Sequence, residues 1–70
     1  MPKPKASRKA QFRAALALAG LTQESWAVRE GITPQWLSVV LNEKEESGAL
    51  NEKIDAFTAE QMARHRALAS

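Results

Sequence analysis

Residues 21–42 read LTQESWAVREGITPQWLSVVLN, which describes two short helices joined by a tight turn. Thr22 is suited to cap the first helix, with Leu21 before it and Trp26 at the fourth helical position to close a hydrophobic staple. Thr33 repeats the device for the second. Ile32 and Leu37 are its staple pair, and Pro34 falls at the first helical position, where a missing N–H costs nothing and φ is already helical. Gly31, between the two starts, suits the left-handed residue that ends a helix. These signals predict helix 2 over about 23–30 and helix 3 over about 34–41.

Helix 3 has two faces of unlike character. Leu37, Val40 and Leu41 recur at helical spacing and are expected inward. Gln35, Trp36, Ser38, Val39 and Asn42 fill the rest, where a merely solvated helix would carry charges. That uncharged, mixed face is expected to touch something.

Outward from this unit, the chain of 70 residues is one domain with a small core, and it has no cysteine. Disulfides and thiolate metal sites are therefore excluded, which leaves association with a second chain as the natural supplement to a core worth about 3–5 kcal/mol. The formal charge is +2, but Lys3, Lys5, Arg8, Lys9 and Arg13 all precede the first acid, Glu24. The acids gather late, at Glu43, Glu45, Glu46, Glu52, Asp55 and Glu60. A basic front and an acidic back suit a polyanionic partner met on one side.

Residues 1–7 alternate proline and lysine at their start and are expected to form a flexible basic arm. Residues 8–70 are expected to form the single folded domain. Helix 1, about 8–19, carries Phe12, Ala15, Leu16 and Ala19 as an apolar stripe, with Ser7 as cap and Gly20 as stop. After the acidic connection at 43–47, helix 4 is expected over about 48–57 with Leu50, Ile54 and Phe57 inward; Ser47 and Asn51 both suit its cap, and the stripe favours Ser47. At Thr58 the run T-A-E-Q reads as a capping box, so a separate C-terminal helix over about 59–69 is expected. Phe57, Met62 and Arg66 there are candidates for a dimer contact. The fold class is all-α, with four to five helices.

A helix stopped at glycine, a short turn and a second helix with an uncharged polar face make a helix-turn-helix arrangement. With L-T-Q-E-S at its start and Ala27, Gly31, Ile32, Leu37, Val40 and Asn42 at their spacings, the unit resembles the lambda repressor-like (Cro and repressor, XRE-type) regulators, in particular the small phage or mobile-element kind. The resemblance implies that helix 3 enters the major groove of an operator. Gln35 stands where that family reads base edges, with Ser38 and Val39 beside it; a glutamine amide pairs with adenine N6 and N7. Gln23 resembles the family's phosphate-clamping glutamine, Thr33 would offer its hydroxyl and helix N-terminus to a phosphate, and Asn42 resembles a phosphate contact. Lys44, Lys9 and the arm residues Lys3 and Lys5 complete the expected phosphate set. Two positions depart from the pattern within this reading surface: Pro34 replaces a polar base reader, and Trp36 is larger than the small residue usual there. The acidic connection after Asn42 is expected to turn away from DNA.

The expected activity is sequence-specific repression from an inverted-repeat operator, bound by a homodimer in the cytoplasm of a prokaryotic or phage-infected cell. At this length no ligand or cleavage domain is expected beside the reader. A protein-binding module, an antitoxin or inhibitor using the helix 3 face, is the alternative class; an excisionase-like architectural DNA binder is another. No enzyme activity, cofactor, metal or small-molecule ligand is expected, because His65 stands alone and no nucleophile has a base at recognisable spacing. No run of about 20 apolar residues suggests a membrane span, and Gln11 and Arg13 interrupt the faint signal-like stretch AALALAGL.

Overall fold

A computed structural model describes residues 7–69 as four α-helices: α1 (Arg8–Ala19), α2 (Gln23–Arg29), α3 (Pro34–Leu41) and α4 (Gly48–Ala69). The local signals act where they stand. Ser7 Oγ accepts the Ala10 N–H at 3.1 Å and starts α1. Thr22 and Ser25 form a reciprocal box at the start of α2: Thr22 Oγ1 accepts the Ser25 N–H at 3.0 Å, and the Thr22 N–H donates to Ser25 Oγ at 2.9 Å. Thr33 Oγ1 accepts the Trp36 N–H at 3.1 Å, with Pro34 at the first position of α3. Ser47 Oγ accepts the Leu50 N–H at 3.3 Å, so Ser47 starts α4.

Three helices stop in one way. At Gly20 (φ 71) and Gly31 (φ 75) the left-handed residue donates to the carbonyl three back, and the next N–H donates to the one five back. Those paired bonds, Gly20 to Ala17 with Leu21 to Leu16, and Gly31 to Val28 with Ile32 to Ala27, are Schellman closures. α3 closes identically, Glu43 to Val40 and Lys44 to Val39, but the left-handed residue is Glu43 (φ 60). A side chain in that region costs about 1–2 kcal/mol, so the third stop is held under strain.

The separate C-terminal helix expected from Thr58 does not form, and α4 runs unbroken through it. Thr58 Oγ1 donates to the Ile54 carbonyl at 2.8 Å, a bond one turn back along the same helix. A threonine hydroxyl has both options, and no glycine or proline between residues 49 and 69 interrupts the better-propagated one. The architecture is therefore four helices, with α4 about 33 Å long at 1.5 Å per residue.

One core joins them. Phe12, Leu16, Trp26, Ala27, Leu37, Val40, Leu41, Leu50 and Ile54 are buried together, with Leu21, Ile32 and Phe57 packed against them. α1 lies chiefly against α4, and α2 against α3. Ala15 and Ala27, both fully buried, let helix backbones approach closely. Phe12, Trp26 and Phe57 form an aromatic triangle with ring centroids 4.8, 5.7 and 5.8 Å apart, Phe12 meeting both partners edge-on. The core ends at Phe57, so the rest of α4 overhangs it. Among the described residues no helix is long and apolar enough to cross a membrane.

Candidate nucleic-acid interface

α3 is held from below and open above. Its inner side buries Leu37, Val40 and Leu41, and Ile32 anchors the turn that precedes it. Its outer side leaves Pro34, Gln35, Trp36, Ser38 and Asn42 exposed, with Val39 half-buried. Trp36 keeps 39% of its surface in solvent while Trp26 keeps 2%. No charged residue stands on this helix.

Thr33 uses its oxygen as acceptor toward the Trp36 N–H, which leaves the hydroxyl hydrogen at the start of α3 available to an anion. Gln23 occupies the first position of α2 and is half-buried. Lys44 is exposed, and its N–H closes α3 on Val39. Lys3 and Lys5 lie outside the described residues.

The fold brings three of the expected contacts together. Lys9 Nζ, in the first turn of α1, donates to Asn42 Oδ1 at 2.7 Å, and Asn42 Nδ2 donates to Ser38 Oγ at 3.3 Å. Lys9 and Asn42 also line a cleft of about 170 Å³ with Ser7, Arg8 and Glu43. The acidic connection, expected to turn away, thus begins beside this pair. A lysine ammonium has three donors, so two remain for an outside acceptor such as a phosphate.

Sequence reasoning gave no role to Arg8 and Asp55, which lie 47 positions apart. Arg8 Nε donates to Asp55 Oδ1 at 2.9 Å and its NH2 group to Oδ2 at 3.2 Å, a fork that ties the start of α1 to α4. The hydrogen bond that Arg8 donates to Asp55 is the main cause that raises the Arg8 pKa above its ordinary value. Being largely exposed, such a pair contributes only about 0.2–1 kcal/mol, but it fixes where the adjacent Lys9 begins.

At the edge of the core Phe57 is half-buried; past it, Met62 is half-buried and Arg66 is exposed. The Phe57 ring belongs to the aromatic triangle, and Phe57 also lines a groove of about 460 Å³ with Leu18, Leu21 and Leu68. Among the described residues no three His, Cys, Asp or Glu side chains converge as a metal site. Compared with protein families, with curated proteins and with solved structures, the chain matches none of them.

Proposed function

We propose that this chain is a lambda repressor-like helix-turn-helix regulator, non-enzymatic, that binds operator DNA sequence-specifically as a homodimer and represses by occluding a promoter. The observation that carries the reading is the outer face of α3: exposed, uncharged, rich in amide, hydroxyl and indole groups, and flanked by Lys9. A face of that kind suits base edges in the major groove, whose donors, acceptors and methyl groups are themselves uncharged. Gln35, Ser38 and Val39 read bases in this account, with Pro34 and Trp36 shaping the contact. Gln23, Thr33, Asn42, Lys44, Lys9 and the arm lysines Lys3 and Lys5 set register on phosphates.

The second copy would meet the overhanging part of α4, where Met62 and Arg66 lie past the core and Leu18 and Leu68 stand exposed beside Phe57. Two-fold symmetry then asks for half-sites about 34–36 Å apart. Selection from random duplex DNA tests the proposal. An enriched inverted repeat with that spacing supports it, and no enrichment at low salt overturns it. Capture of a bent duplex without two-fold half-sites would favour the architectural alternative.

A further inference from the structure

Asn42 stands between a lysine and a serine, and their chemistry decides which way round its amide lies. An ammonium donates and never accepts, so the atom 2.7 Å from Lys9 Nζ is the carbonyl oxygen Oδ1. The amide nitrogen is thereby turned to Ser38, and it donates to Oγ at 3.3 Å. One lone pair of Ser38 is spent on Asn42. Its own O–H finds no acceptor among the described residues, and the side chain is exposed on the outer face of α3.

We propose that the Lys9–Asn42–Ser38 chain sets Ser38 to read its base as a hydrogen-bond donor. A free serine hydroxyl donates or accepts with equal ease and says little about sequence. Accepting from Asn42 takes one of its two lone pairs and leaves the O–H whole, which tilts it toward an acceptor on the contacted base, guanine O6 or N7 or thymine O4, over the amino group of cytosine. Asn42 and Lys9 are then positioning residues for specificity, and Lys9 serves a phosphate with the donors it has left. The inference rests on the reading of α3 as the groove helix and adds which hydrogen-bonding sense one of its residues has.

Asn42→Asp reverses that sense. A carboxylate still holds Lys9 but has no hydrogen to give, so Ser38 must donate to it and has only lone pairs left for a base. The experiment measures binding of the wild type, Asn42→Asp, Lys9→Met and Ser38→Ala to every single-base variant of the duplex selected by the wild type. Each affinity is taken relative to the best site for that protein, which removes the uniform loss from the added negative charge. At the position where Ser38→Ala flattens the wild-type preference, Asn42→Asp is expected to move it from guanine or thymine toward cytosine, by roughly two- to twelvefold, the range of one hydrogen bond. Lys9→Met, which frees the amide to turn over, is expected to flatten the same position without creating a new preference. Retention of the wild-type base in Asn42→Asp, with helicity by circular dichroism unchanged, overturns the inference. So does a Ser38→Ala variant that alters no position. Failure of the underlying reading shows differently, as a wild type that enriches no site at all.

Discussion

The outer face of α3 carries Gln35, Trp36, Ser38 and Asn42, whereas α4 beyond Thr58 exposes Glu60, Arg64, His65 and Arg66. Both surfaces meet solvent, yet they are built on different terms. The α4 surface is what water alone asks of a helix: charges of both signs, with an Arg64–Glu60 pair at 3.5 Å one turn apart. α3 withholds charge and keeps a tryptophan partly in water, a composition that solvation does not favour. Rigidity differs as well. α3 is capped at one end by Thr33, closed at the other by the Schellman bonds of Glu43 and Lys44, and nailed by three buried side chains, while α4 outruns its core. Contact chemistry held on a fixed frame is what a reading surface needs.

The contrast breaks most sharply through the frame. Leu37 is fully buried under α3, and Leu37→Ala is expected to cost about 2–5 kcal/mol, comparable to the whole stability of so small a core. His65→Ala on the α4 surface should stay within about 0.5 kcal/mol. Thermal unfolding followed by circular dichroism measures both; equal losses would erase the distinction.

Next in size is the surface itself. Gln35→Ala is expected to weaken binding by about 1–3 kcal/mol at one base position of the selected site and to leave random duplex binding nearly unchanged. A competition gel shift on the two kinds of DNA resolves this, and equal losses on both would remove Gln35 from base readout.

Smaller still are the two stops that bracket α3. No atom lies within 4 Å of a Cβ built on Gly31, so Gly31→Ala costs only its left-handed backbone, about 1–2 kcal/mol. Glu43 is in the converse position. Glu43→Gly relieves a comparable strain against the extra chain entropy of glycine, a net gain of about 0.5–1 kcal/mol. Urea denaturation should show opposite shifts for the pair, and a Glu43→Gly protein less stable than the wild type would refute the strain.

These residues also mark how far sequence reached. Thr22, Gly31, Thr33 and Gly20 act on groups within five residues, so the end of α1, both ends of α2 and the start of α3 were readable from local chemistry, and the apolar stripes located nearly the whole core. Glu43 was not readable as a stop, because a glutamate names no preference for positive φ; the fold imposes it. Thr58 misled for a related reason: T-A-E-Q satisfies the capping pattern, but a hydroxyl inside a continuing helix bonds back to Ile54 instead. The surface residues of α3 could be named singly, whereas the bonds from Lys9 through Asn42 to Ser38 join positions 33 apart and depend on where the fold sets the start of α1 against the end of α3. No local pattern carries that information, nor the meeting of Arg8 with Asp55.

The two tryptophans give the most direct test that α3 meets the groove. Trp36 is 39% exposed on that face and Trp26 is 2% exposed in the core, so acrylamide should quench Trp36 and spare Trp26 in the free protein. Titration with the selected duplex is expected to shield Trp36 and abolish most of the quenchable signal. Saturable DNA binding that leaves quenching unchanged would contradict the account, for the duplex would then be held by another surface.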